Sequence, residues 1–317
     1  MLNIVMESLP VAVMVRIFSF LEVKEKCNAA RVCRSWYHLV REKQLWKYVD
    51  LTPFRVNLQA TWKIIRCYFT DALRTLHLRG FMYSIKKTEC LSNAVLKDLC
   101  ERCPNLEELH IKDALLTNID SGNLPPTLKV LTLQRCATPS GWFQSAVDQG
   151  RFGQLQVLSM SWSTGFCDKD LIHLASLPGG GQLESLDFSN CYRISHQGFL
   201  SMAENLTCLK HLHIPETNVE DEDMHFICRH LKEMKTLTLH DCEALTDLCI
   251  GSLATLTNLQ HLDMRGSAMK ITAGALIGLV GKLKNLECLC ISVSEGLTEA
   301  DLEQIAGVNV KCRIISN

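Results

Sequence analysis

Charge of one sign is missing from this chain of 317 residues: 33 lysines and arginines stand against 34 aspartates and glutamates, a formal net charge of −1. No overall field draws the chain to nucleic acid or to an anionic membrane surface. No targeting segment is expected either. Residues 1–8 carry only Glu7 as a charge, and Arg16 breaks the apolar stretch behind them, which fits neither a signal peptide nor a membrane span. Catalytic and metal signatures are also absent. Cys100-x-x-Cys103 has no second such pair or spaced histidines, and Cys288-x-Cys290 fails likewise. The alternating His211 and His213 have no third ligand fixed by spacing. Gly179-Gly180-Gly181 has no following Lys-Ser/Thr and reads as a loop rather than a phosphate cradle. No nucleophile elbow or HExxH is present, so neither catalysis nor a cofactor is expected.

Cysteine, by contrast, is plentiful. The sixteen cysteines lie between positions 27 and 312, mostly inside apolar patterns. They read as small core-filling side chains in a reducing compartment, so the expected residence is cytoplasmic, nuclear or both. With 47% apolar and 21% charged residues, the chain has the composition of a folded protein.

One pattern organises most of the length. Leu-x-x-Leu-x-Leu or a close apolar variant begins at Leu73, Leu106, Leu128, Leu155, Leu183, Leu209, Met234, Leu259 and Leu286. The mean spacing is about 27 residues, inside the leucine-rich-repeat range. Counting each start as position one, position nine reads Phe81, Ala114, Cys136, Ser163, Cys191, Thr217, Cys242, Ser267 and Ser294. All but the first are small, which suits a tight inward turn stacked on its neighbours. The frame resembles leucine-rich repeats, and the cysteine at position nine resembles their cysteine-containing type.

After the turn, Ser195, Thr246, Thr272 and Thr298 each follow an apolar residue in the manner of a helix N-cap. Apolar residues at helical spacing come next, as in Leu276, Leu279 and Leu283. The expected fold is an α/β solenoid, a horseshoe whose units are stable only when stacked. Extra residues between Gly80 and Cys90 predict a loop exposing Lys86 and Lys87. Pro125-Pro126 predicts an irregular repeat, and Val310, Cys312 and Ile314 predict a closing strand over 310–315.

Residues 1–46 do not carry the frame. Val13, Ile17 and Leu21 mark one helix face, residues 22–26 a polar break, and Val32, Trp36, Leu39 and Val40 a second face. A module of about 40 residues sits near the size at which a domain needs a partner. Trp46, Val49 and Leu51 repeat the leucine spacing ahead of Leu73, which makes 47–317 the repeat region, its first unit degenerate and starting near 46.

Leu9-Pro10, Ile17-Phe18, Leu21, Val32-Cys33, Trp36 and Leu45-Trp46 fall at the spacing of an F-box. With leucine-rich repeats behind a three-helix F-box module, the chain resembles the F-box/LRR-repeat family. The resemblance implies the substrate-recognition subunit of an SCF-type E3 ubiquitin ligase, itself non-catalytic. It also implies docking on the Skp adaptor through Leu9, Pro10, Ile17, Phe18, Val32, Cys33 and Trp36, and through that adaptor a cullin–RING core. The alternatives left open are a non-ligase scaffold or inhibitor on the same solenoid, and an enzyme using its histidines.

Strand alternation sends positions three, five and seven of each repeat away from the core. Six of the eleven histidines fall on this face. His77, Arg79, His110 and Lys112 form a candidate positive corner for an acidic or phosphorylated protein substrate. His211, His213, His240, His261 and Arg265 continue the candidate surface along the sheet.

Overall fold

The computed structural model describes residues 9–316 apart from 55, 82–88, 178–181, 268–269 and 294–296. The expected Lys86–Lys87 loop, the Gly179–Gly181 loop and Ser294 therefore lie outside the described residues.

Among the described residues, eleven strands form one parallel sheet whose spatial order is the order in the chain. They are β1 (Tyr48–Asp50), β2 (Thr75–Arg79), β3 (Glu108–Lys112), β4 (Val130–Gln134), β5 (Val157–Ser159), β6 (Ser185–Asp187), β7 (His211–His213), β8 (Thr236–Thr238), β9 (His261–Asp263), β10 (Cys288–Ile291) and β11 (Arg313–Ser316). Helices cover one face of the sheet: α4 (Leu58–Tyr68), α5 (Asn93–Arg102), α6 (Gln144–Asp148), α7 (Asp168–Ala175), α8 (His196–Asn205), α9 (Asp221–His230), α10 (Asp247–Leu253), α11 (Ala273–Lys282) and α12 (Glu299–Val308). Neighbouring strands sit about 4.8 Å apart, whereas packed helices need about 8–10 Å, so a sheet with helices on one face must curve with its strands inside. The N-terminal module is α1 (Val11–Ser19), α2 (Val23–Ala29) and α3 (Arg34–Val40).

Register explains the leucine frame. Position-four residues stand directly opposite one another from Leu76–Leu109 through Leu131, Leu158, Leu186, Leu212, Leu237 and Leu262 to Leu289. Each is buried, and burying one leucine is worth roughly 1.5–3 kcal/mol. The first strand joins the same row, with Val49 opposite Leu76 and Trp46, Val49 and Leu51 all buried.

Position nine does more than fit. The side chains of Cys136, Ser163, Cys191 and Cys242 point into the stack and donate to the position-six carbonyls of the preceding repeat, Ile111, Leu133, Met160 and Ile214. Ser267 makes the same bond to Leu239. A small side chain carrying one O–H or S–H satisfies a strand-end carbonyl that the sheet leaves unpaired. Burial pushes the Cys136 and Cys191 thiols up to about 12, so they are poor nucleophiles.

A second ladder ties the helices together. Asp168, Asp221 and Asp247, each the first residue of its helix, accept both the backbone N–H and the hydroxyl of the next helix's N-cap: Ser195, Thr246 and Thr272. The distances are 2.6–2.9 Å. Each carboxylate thus serves its own helix's N-terminal dipole and clamps the following repeat.

The repeat expected to be irregular near Pro125-Pro126 is so: between β3 and β4 it has a 3₁₀ turn, Ser121–Asn123, in place of an α-helix. Several sequence expectations need correction. The last strand begins at Arg313 rather than 310; Val310 is exposed, and only Cys312 of the alternating set is fully buried. Residues 22–26 are not a break. Glu22 caps α2 through a capping box with Glu25, and Lys26 lies buried within that helix. In α1 the inward residues are Met14, Val15 and Phe18, not Val13 and Ile17. Pro10 precedes α1 as its N-cap, its carbonyl accepting from Val13 and Met14. On the open sheet face, Ser161 and Cys288 are buried where exposure was expected.

Candidate functional site

Two surfaces carry residues that folding alone does not use. The first is the N-terminal module. Phe18 turns inward, 2% exposed, and packs edge-on against half-buried Trp36 at 5.1 Å between ring centroids. Those two rings make the module's small core, together with Met14, Val15, Leu39 and Val40. Phe18 is therefore removed from the set of contact candidates, because a ring enclosed by its own helices has no face left for a partner. Leu9 is half-buried, while Pro10, Ile17, Val32 and Cys33 are exposed. Cys33 is the N-cap of α3, its sulfur accepting from the Trp36 N–H at 3.5 Å.

Val11, Val13, Phe20 and Tyr37, which the sequence reading left out, are exposed beside them. Phe20 is the extreme case, at 74%. The signal was available: α1 is apolar all round apart from Arg16 and Ser19, and a helix of that kind buries more than one face.

This module is anchored to the repeats by Trp46. Its ring lies stacked on Tyr68 of α4 at 4.4 Å, its Nε1 donates to the Val40 carbonyl of α3, and Lys26 of α2 donates from Nζ to the Leu45 carbonyl at 3.1 Å. Burial holds the Lys26 ammonium below its ordinary pKa. Two helices of the module and one repeat helix thus converge on Leu45–Trp46.

The second surface is the open face of the sheet. His77 and His110 face each other in register and stack at 4.1 Å, with Tyr48 5.2 Å beyond. Burial first, and His77 second, hold the His110 imidazole below its usual value against the opposing pull of Glu108. The charged imidazole is therefore disfavoured. Arg79 is an ion-pair partner of Asp113 at 3.0 Å, a carboxylate that is itself buried. The expected positive corner is thus weakened: burial disfavours the charged form of His110 and Arg79 is matched by Asp113, while Lys112 has no ion-pair partner among the described residues.

Farther along, His211 is lowered by burial and then by His213 and Lys235. His213 shares a hydrogen bond with Thr238 at 2.9 Å, and His240 lies 2.9 Å from Asp241. His261 is exposed, and Arg265 is held by its own neighbour Asp263 at 2.6 Å. The six histidines do share one face, but not as one convergent cluster: His77 and His110 stack on each other, while His213 and His240 meet Thr238 and Asp241. Cys288 and Cys290 bring their sulfurs to 3.8 Å, and among the described residues no group of three histidine, cysteine or carboxylate side chains is placed to hold a metal.

A three-helix module with an unfinished apolar face, set on a curved α/β solenoid, defines a class: an F-box followed by leucine-rich repeats. Comparison with known proteins agrees. Residues 6–52 match the F-box-like family model, and residues 200–314 match a model described as Zer-1-like, leucine-rich repeats. Human (Homo sapiens) F-box/LRR-repeat protein 12 is 30% identical over 256 residues, covering 80% of this chain and 76% of that protein. The mouse (Mus musculus) protein of the same name is 30% identical over 232 residues, 73% of this chain and 70% of its own. The chain belongs to the F-box/LRR-repeat family. Matches among solved structures include an internalin from Listeria monocytogenes, 16% identical with a TM-score of 0.48 over 87% of each chain. Yeast Rad7 in complex with Elc1 gives a match at 17% identity and TM-score 0.48 over 96% of this chain and 87% of the matched one.

Proposed function

We propose that this chain is a substrate-recognition subunit of an SCF-type E3 ubiquitin ligase, non-catalytic in itself. Its F-box would dock on the Skp adaptor and through it on a cullin–RING core, and the open sheet face would hold protein substrates for ubiquitination. The observation that carries the reading is the apolar face of the N-terminal module. Val11, Val13, Ile17, Phe20 and Val32 are all exposed on a unit of three short helices, a patch of the kind that marks a protein interface. Trp46 supports the same reading. By locking the module to the first repeat it fixes how far a bound substrate lies from whatever the module holds, and transfer by proximity depends on that distance.

The test is co-purification of the full chain with the Skp adaptor. The variant Ile17→Asp/Val32→Asp alters only exposed positions, so it should fold as wild type and lose the adaptor. Retention of the adaptor by a folded double variant refutes the docking surface. Absence of adaptor binding in the wild type leaves a leucine-rich-repeat scaffold with no ligase role.

A further inference from the structure

Position eight of each repeat ends the strand and turns the chain towards the helices. The backbone there is left-handed at Asp113 (φ 54°), Arg135 (53°), Trp162 (60°), Asn190 (60°), Glu216 (51°), Asp241 (55°) and Gly266 (72°). These are seven of the nine position-eight residues; Gly80 and Val293 are not among the residues with positive φ. Glycine, asparagine and aspartate are the residues that accept it readily, and four of the seven positions comply.

Arg135 and Trp162 do not comply, and they are neighbours, in consecutive repeats. Trp162 leaves 48% of its surface in water, and the Arg135 guanidinium lies over its ring at 5.7 Å. Neither side chain belongs to the core. A fold that needs only a small residue here instead keeps two large ones in a strained conformation on its outer rim. Strain of this kind, held where packing does not demand it, marks functional positions. Glu216, the third exception, at least meets the Tyr192 hydroxyl at 3.5 Å.

Charge completes the patch. Lys112 stands opposite Gln134 in register, and Arg135 follows directly. Of the carboxylates on these strands, Asp113 pairs with Arg79 through Oδ2, while Glu108 accepts from the Thr75 hydroxyl and Asp187 from Ser159 and Ser189. Among the described residues neither Lys112 nor Arg135 has an ion-pair partner, so on three successive strands two cations lead up to one exposed indole, with Arg135 over its ring.

We propose that Lys112, Arg135 and Trp162 form the anchor of the substrate surface and take an acidic protein segment, with an apolar side chain against the indole and a carboxylate between the two cations. The proposal rests on the receptor reading and names the chemistry of its cargo. Guanidinium stacking leaves the N–H edge of Arg135 free for a carboxylate. Tryptophan and arginine are also the residue types that dominate binding energy at protein interfaces.

The experiment uses the full chain as bait against a random twelve-residue peptide library displayed on phage. Enriched peptides are resynthesised and their affinities measured for wild type, Trp162→Asn and Arg135→Asn. Enrichment of acidic sequences bearing an apolar residue, weakened by more than about tenfold in each variant, supports the anchor. Both asparagine variants relieve the backbone, so their melting temperatures should equal or exceed that of wild type, which separates lost binding from lost folding. No enrichment, enrichment of neutral or basic peptides, or affinity unchanged in the variants overturns the proposal. Adaptor co-purification should be the same for all three proteins; its failure would count against the receptor reading and leave the peptide result standing.

Discussion

In the solenoid every position-four residue from Leu76 to Leu289 is essentially sealed, whereas in the N-terminal module Val11, Phe20 and Val32 remain 62%, 74% and 64% exposed. Both regions are rich in the same apolar residue types. The difference is in who completes the core. A repeat is completed by the next repeat of the same chain, through a leucine row, a position-nine donor and an aspartate clamp. Among the described residues the three short helices have no such neighbour beyond the repeat that Trp46 ties them to, and their second apolar face stays exposed. Apolar content alone therefore does not distinguish a core from an interface; the distinction is whether the chain itself supplies the covering layer.

Paired substitutions break this comparison most strongly. Leu186→Ala, in the middle of the leucine row, should cost about 2–5 kcal/mol in denaturant unfolding, because its neighbours on β5 and β7 cannot close the void. Phe20→Ser should change stability by no more than about 0.5 kcal/mol, while weakening adaptor capture. If Phe20→Ser destabilises as much as Leu186→Ala, the module's second face is core and the contrast fails. The clamp comes next. Asp221→Ala leaves the Thr246 N–H and hydroxyl without their acceptor and should cost about 1–3 kcal/mol; an unchanged unfolding midpoint would mean that the aspartate ladder contributes nothing.

Acid titration sharpens the comparison at an inter-repeat contact. Burial alone would raise the Asp98 carboxyl, but hydrogen bonds from Arg66, Arg102 and Trp62 outweigh it and take the group from 3.8 to about 2. Its folded pKa is lowered, so its stabilising contribution is complete above pH 3.8 and disappears as the pH falls towards 2. The melting temperatures of wild type and Asp98→Asn should differ at neutral pH and converge over that window. A constant gap down to the lowest pH would show that the contact is not electrostatic. The smallest effect is local to the sheet face. His77→Asn should raise the His110 titration midpoint and Glu108→Gln should lower it, both read by NMR. Shifts of the opposite sign would mean that the ring pair is not stacked in solution.

Much of the solenoid was legible because its period is written in residue types that only a few environments accept. Leucine at positions one, four and six, a small donor at nine, and a hydroxyl N-cap after an apolar residue each record one contact with the next unit. The helix N-caps Ser195, Thr246, Thr272 and Thr298 were placed correctly for that reason. The site was less legible. Phe18 reads like its neighbour Ile17, and only the packing of α1 on α3 sends one inward and leaves the other out. Arg79 reads as a free cation until Asp113, 34 positions on, turns into it. Arg135 and Trp162 escaped notice because a strained backbone has no signature of its own in a string of letters.

What the amino-acid order determined by itself was periodicity: which residues face inward, where each turn falls, and that units must stack, since these follow from local geometry repeated about every 27 residues. What only the tertiary structure decided was the state of the polar and apolar groups left over, including which charges are matched, which histidines resist protonation and which hydrophobic side chains lack cover. Those states depend on residues from different repeats or helices meeting in space, and sequence distance carries no record of such meetings.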